Sequence, residues 1–327
     1  MFSTTQAGNA AASKVSEVWV EKYRPHTLDQ ICGQDHVVSS LKGYLKTDNL
    51  PHLLFYGAAG TGKTSAILAY VKEFYGQYNK NYKNHVLELN ASDERGIAVV
   101  REKIKTFARQ QVMDIPYKVI ILDEFDAMTM DAQAALRRIM EDYVKVTRFC
   151  LICNYAGKII DPIKSRCAQF QFKGLDARDI QVKLKTICKD EGLKIPDSDI
   201  SKIVEFCEGD MRRCVYALQT LHQLKNNNVE DILGIVPQDL ILELWSILKS
   251  NNFVTVMECV DDIIMEGYSS TNVLNQLFDM LTIDMDVLEA KKASLAIALG
   301  EYSAKMSTGN GKIQLLGALS KCHTIMK

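Results

Sequence analysis

The sequence predicts an α/β domain built on a parallel sheet, followed by two smaller all-helical domains. Three observations predict this. Between residues 50 and 175, short apolar runs alternate with helical patterns. One of those runs leads into a glycine-rich loop that opens a helix. Beyond about residue 175 the strand signal stops, and only helical periodicity continues to residue 327. Strands that alternate with helices form a parallel sheet covered on both faces, and 327 residues suit two or three domains.

The elements follow in order. Residues 1–16 are small and polar and read as a disordered tail. They lack the apolar stretch of a signal peptide, so the chain is expected to stay inside the cell. Strands are expected at 53–56, 86–89, 119–122, 149–153 and 170–172, with helices beginning near Lys63, Ile97 and Ala132. Ile97, Val100, Ile104 and Phe107 recur at helical spacing, as do Leu136, Ile139, Met140 and Tyr143. The α/β domain is bounded at 17–175. A helical domain follows over 176–235 and contains the polar loop Lys225-Asn226-Asn227-Asn228. A second helical domain covers 236–327, with a turn at Gly309-Asn310-Gly311 before the last helix.

Composition is that of an ordinary globular protein, with 47% apolar and 24% charged residues. Basic and acidic residues number 39 and 40, which excludes a histone-like protein but not a nucleic-acid binder whose charge is local. The charge is uneven. Residues 237–327 hold 7 basic and 11 acidic side chains, and the rest holds 32 and 29, so a polyanion is expected to meet the first two-thirds. No apolar run approaches the roughly 18–20 residues of a membrane span. Nine cysteines suggest free thiols in a reducing compartment.

Gly57-Ala58-Ala59-Gly60-Thr61-Gly62-Lys63-Thr64 fits G-x-x-x-x-G-K-[ST] between a strand and a helix. Glycines let the backbone wrap closely, so that its N–H groups and the helix N-terminus face phosphate oxygens. Lys63 is placed to reach the β and γ phosphates, and Thr64 to ligate Mg²⁺. Val119-Ile120-Ile121-Leu122-Asp123-Glu124 is an apolar strand ending in two carboxylates. Asp123 is expected to hold Mg²⁺ through water and Glu124 to polarise an attacking water, so the expected reaction is hydrolysis rather than transfer to a substrate hydroxyl.

With these motifs, Trp19-Val20-Glu21-Lys22-Tyr23-Arg24-Pro25, Asn90-Ala91-Ser92-Asp93-Glu94-Arg95-Gly96, Asp123-Glu124-Phe125-Asp126 and Ser165-Arg166-Cys167 occur in a set order. The chain resembles the small subunits of replication factor C, the eukaryotic sliding-clamp loaders of the AAA+ class, and most closely the ATP-hydrolysing ones. The resemblance runs from about residue 17 to the C-terminus.

It implies an AAA+ ATPase core, a helical lid and an all-α collar. Trp19–Pro25 closes over the adenine, with Val20 and Arg24 near the nucleotide. Gly57 through Ser65 bind the phosphates. Asn154 and Arg212, the latter in Gly209-Asp210-Met211-Arg212, sense the γ-phosphate. Arg166 is the arginine finger, acting in trans. Asn90 restrains Glu124. Arg95, Arg101 and Lys158 track the DNA backbone, which fits contacts that position without reading bases. Further basic residues, Lys103, Lys105 and Arg109, stand on the same helix as Arg101.

The implied partners are the other clamp-loader subunits, the sliding clamp and primer-template DNA in a heteropentamer of the nucleus, acting in replication and repair. Two departures stand out. Ala58-Ala59 replace the usual Pro-Pro and are expected to loosen the loop. Phe125 replaces a small residue and is expected to alter packing below the site. An architectural subunit that does not hydrolyse ATP is the alternative, and Glu124, Asn154 and Arg212 argue against it.

Weaker signals are set aside. Gln110-Gln111-Val112-Met113 faintly resembles a clamp-binding peptide. Cys150-x-x-Cys153 is rejected as a zinc pair, because strand neighbours three apart face opposite sides. Cys167 is expected to be exposed rather than catalytic.

Overall fold

The computed structural model describes residues 18–92, 97–110, 115–224, 228–249, 252–283, 287–306 and 309–326, with backbone alone for 97–101. The expected tail, Arg95, the Arg101, Ile97 and Val100 side chains, residues 111–113 and Lys225 to Asn227 lie outside that description. The chain divides into two compact units, one up to His222 and one from Gln223.

The first unit opens with α1 (Trp19–Lys22) and α2 (Asp35–Thr47). Strand β1 (His52–Gly57) then leads into α3 (Lys63–Gln77), and β2 (Val86–Asn90) into α4 (Ile97–Arg109). Next come β3 (Lys118–Asp123), α5 (Met130–Asp142), β4 (Thr147–Cys153), α6 (Asp161–Lys164) and β5 (Cys167–Phe172). All five expected strands form, each longer than its apolar run. β5 starts at Cys167 rather than Phe170 because it is an edge strand whose burial is only partial, so its first residues carry no apolar run.

The sheet is parallel, in the order β2-β3-β4-β1-β5. Its three inner strands bury nearly every side chain, which is why they read as continuous apolar runs. One face packs on α2 and α3, where Tyr70, Phe74, Tyr75 and Tyr117 form an aromatic cluster; the Phe74 and Tyr117 rings stack at 4.7 Å. The other face packs on α4 and α5 through Ile104, Leu136, Ile139 and Met140. Phe125, the departure from the family pattern, is fully buried in this second layer. Cys150 belongs to the first layer and Cys153 to the second, so the two thiols face opposite sides of the sheet. Cys167 differs from expectation: it is half-buried against the second layer, and burial pushes its thiol up to about 12.

Helices α7 (Ala177–Asp190), α8 (Asp197–Phe206) and α9 (Met211–Leu224) complete this unit. The second unit is helical throughout its described residues: α10 (Val229–Leu233), α11 (Gln238–Lys249), α12 (Phe253–Met265), α13 (Ser270–Ile283), α14 (Glu289–Lys305) and α15 (Gly311–Met326). Leu244, Val260, Leu277, Leu299 and Leu319 lie in its core, and Gln276 holds the Val236 backbone through hydrogen bonds of 3.0 and 2.9 Å. No helix among the described residues is long and apolar enough to cross a membrane.

Candidate functional site

Ligands of open α/β sheets bind beyond the carboxyl ends of the strands, and here those ends carry the chemistry. β1 ends in the glycine-rich loop, its neighbour β4 in Asn154, and β3 in Asp123 and Glu124. The order β3-β4-β1 therefore puts Asn154 between the loop and the carboxylates. One cavity is lined by Val20, Arg24, Ala59 through Ser65, Asp123, Glu124, Asn154 and Arg212.

Lys63 is buried, and its ammonium donates to the carbonyls of Gly57 (2.9 Å) and Ala58 (2.7 Å) and to Asn154 Oδ1 (3.1 Å). Burial lowers its pKa, and nearby Asp123 works in the opposite direction. Thr64 Oγ1 donates to Asp123 Oδ2 at 2.8 Å, bringing together the two side chains expected at the metal. Glu124 is exposed at the rim, and its own N–H donates to Asp123 Oδ1. Gly57 and Ala58 stand outside the lining and serve the site through their carbonyls. Gly57 is required by space: a Cβ there would stand 2.2 Å from the Phe172 carbonyl oxygen.

Gly60 serves a contact that the motif alone does not disclose. A Cβ at this position would lie 1.9 Å from Asp210 Oδ1. That carboxylate also accepts from the Arg212 and Arg213 N–H groups at 2.8 and 3.3 Å, capping α9. The helix bearing Arg212 thus rests on the phosphate loop.

The other end of the cavity is built from the N-terminal segment and the helices after β5. Ile31, Cys32, Leu175, Ile187, Met211 and Val215 give it an apolar wall. Trp19 is buried; its N–H donates to Gln219 Oε1 at 3.0 Å and its ring lies 5.1 Å from that of His222. Lys22 and the Tyr23 hydroxyl both donate to Glu191 Oε1, at 2.6 and 2.8 Å. Burial raises the Tyr23 pKa, and Glu191 adds to the shift. Gln34, fully buried, fixes the other end of the segment to the Lys173 backbone at 2.8 and 3.3 Å. The sequence reading missed Glu191, Gln34 and Gln219, because each acts across more than 130 residues.

Other expected residues stand elsewhere. Arg166 is outside the cavity lining; its Nη1 donates to the Pro162 carbonyl at 2.7 Å and its Nη2 pairs with Glu141 at 2.6 Å. Lys158 is exposed, its ammonium 5.4 Å from the Tyr155 ring centre. Its carbonyl accepts from buried Gln133 at 3.1 Å. Asn90 Oδ1 accepts from the N–H and hydroxyl of Ser92, at 2.9 and 2.8 Å.

Residues 53–175 match the family described as ATPase family associated with various cellular activities (AAA). Residues 183–222 match the RCF1/5-like AAA+ ATPase lid domain, and 236–321 the replication factor C C-terminal domain. Replication factor C subunit 2 of Saccharomyces cerevisiae is 43% identical over 95% of this chain and 94% of its own length. Replication factor C subunit 4 of Homo sapiens is 41% identical over 98% and 92%, and the replication factor C small subunit of Archaeoglobus fulgidus 41% identical over 95% and 98%. Among solved structures, a single-substitution variant of Thermotoga maritima RuvB is similar at a TM-score of 0.52 and 16% identity, covering 69% of this chain and 80% of that one, a likeness of fold. Relatives above 40% identity along nearly the whole of both chains show that the chain belongs to the replication factor C small-subunit family of AAA+ ATPases.

Proposed function

We propose that this chain is an ATP-hydrolysing subunit of a heteropentameric clamp loader, which opens a sliding clamp and sets it on primer-template DNA in nuclear replication and repair. The observation that carries the reading is the meeting of Lys63, Asn154, Thr64, Asp123 and Glu124 around one cavity. Residues 17–175 form the motor, 176–235 the lid, and 236–327 the collar that joins the subunits; the acidic balance after residue 236 suits assembly better than DNA binding.

In this reading Lys63, together with the backbone N–H groups of the loop through Ser65, binds the β and γ phosphates of ATP. Val20 and Arg24 close over the base. Asn154 and Arg212 approach the γ-phosphate from the sheet and from the lid. Thr64 and Asp123 present hard oxygens, a donor set that fits Mg²⁺. Bound there, the ion would neutralise phosphate charge. Glu124 orients and polarises the water that attacks the γ-phosphorus. Arg166 completes the neighbouring subunit's site, a contribution of roughly 10³–10⁵ in rate at that site. Arg95, Arg101 and Lys158 contact DNA phosphates without reading sequence, and each one lost should lower the salt slope by about one.

The test is ATP turnover by the purified complex with and without DNA and clamp. Stimulation by both is expected. Stimulation by neither would favour the architectural alternative.

A further inference from the structure

Arg166 does not hang free. Its guanidinium meets three acceptors, the Pro162 carbonyl at 2.7 Å, Ser165 Oγ at 3.5 Å and Glu141 Oε1 at 2.6 Å. Glu141 lies in the last turn of α5, and Arg137, one turn earlier, reaches the same carboxylate oxygen at 3.4 Å. Arg166 and Glu141 side chains are 36% and 40% exposed. Exposed ion pairs contribute little to folding stability, so the arrangement calls for another explanation.

We propose that Glu141 is the positioning residue of the finger: it aims the Arg166 guanidinium out of the surface so that it meets a neighbour's phosphate already oriented. The proposal rests on the reading of Arg166 as a trans-acting finger. Three features carry it. A long arginine loses rotamer freedom when it binds, and a partner that has already fixed the arm removes that loss from the catalytic step. The guanidinium has five N–H donors, and three acceptors on its own chain do not exhaust them. The carboxylate stands between two guanidinium groups, so the cluster of Arg137, Glu141 and Arg166 keeps a net positive charge towards an incoming phosphate while the finger's direction is set.

The experiment is steady-state ATP turnover by the reconstituted complex containing the full chain, with DNA and clamp present. Arg166→Ala defines the share of turnover that the finger supplies. Glu141→Gln is expected to remove at least half of that share with the KM for ATP unchanged, the pattern of an interaction made only in the transition state. Glu141→Asp should also lower turnover, because it keeps the charge but shortens the arm. Thermal unfolding of the free chain should be unaltered by either variant.

Normal turnover in Glu141→Gln beside a defective Arg166→Ala overturns the proposal. Raised turnover overturns it too, by making the pair a brake, as does a normal Glu141→Asp, which would leave charge alone as the cause. A raised KM at unchanged kcat, or a lowered melting temperature that accounts for the loss, also counts against it. If Arg166→Ala itself costs nothing, the finger reading falls and takes this proposal with it.

Discussion

Lys63→Ala should weaken ATP binding by a margin that the site's geometry allows to be worked out. The ammonium is buried and already satisfied by two carbonyls and Asn154. A unit charge about 4 Å from one phosphate charge, at the effective dielectric of a partly buried site, gains about 4 kcal/mol. Against this, one or two of the present hydrogen bonds must be released, at about 1 kcal/mol each. The net loss in Lys63→Ala is therefore about 2–3 kcal/mol, a rise in Kd of roughly 30- to 150-fold. Calorimetric titration of the complex with a non-hydrolysable ATP analogue and Mg²⁺ measures it. In the free chain the loop carbonyls can turn to water, since Ala58 is exposed, so stability should change little. A Kd within about threefold of the original in a folded variant would mean that the loop does not hold the phosphates as argued.

Other expectations follow from the same structure. Gln133 is fully buried and bonds the backbones of Met128, Lys158 and Ile160 at 3.0–3.1 Å; Gln133→Met, which keeps the volume, should cost about 2–4 kcal/mol in chemical denaturation, and a loss below about 1 kcal/mol would contradict the accounting. His52 is buried and accepts from the Phe149 N–H, and burial, aided by Arg148, lowers its pKa to about 4. The unfolded chain then binds the extra proton more readily, so stability is whole above pH 6.5, declines as pH falls from there towards 4, and levels off below at a loss of about 3 kcal/mol. A denaturation series in which His52→Asn removes none of this slope would assign it to another group. Glu191→Gln weakens the hold on Lys22 and Tyr23 and should raise the Kd for ATP by roughly fivefold, about 1 kcal/mol, with an unchanged value separating the α1 clamp from nucleotide binding.

What was legible in the sequence had short range or high regularity. β1, β3 and β4 are buried on both faces, so their central side chains are apolar and stand out as runs, with polar residues such as His52, Lys118 and Thr147 at the strand starts. The phosphate loop and the Asp123-Glu124 pair depend on neighbours within a few residues, and local spacing records them. The apolar run at 170–172 is shorter than β5 because an edge strand tolerates a half-buried Cys167 and an exposed Gln169. Contacts that join distant segments left no periodic trace. Gln219 meeting Trp19, Glu191 meeting Tyr23, and Asp210 meeting Gly60 use residue types that are ordinary on any helix surface or helix end. Nothing in the local sequence marks Glu141; only the fold places Arg166 against it.

The same topology decides which nucleotide a finger at Arg166 could serve. β5 is parallel to β1, with His52 opposite Cys167 at one end and Gly57 opposite Phe172 at the other. The phosphate loop therefore leaves at the carboxyl end of the strand pair, whereas Arg166 immediately precedes the amino end. Six residues of strand separate the two ends, roughly 20 Å at strand rise. No arginine side chain spans that distance, and Glu141 and the Pro162 carbonyl hold this one in place. A finger at Arg166 thus has no access to its own chain's phosphates, and any nucleotide it completes must be bound by another subunit. Leu175, three residues beyond the far end of β5, lines the chain's own cavity. One short edge strand therefore has Arg166 before it and, just after it, a wall of the pocket. With a finger at Arg166, a shift of β5 against β1 would be felt at the chain's own cavity and at the neighbour's site together.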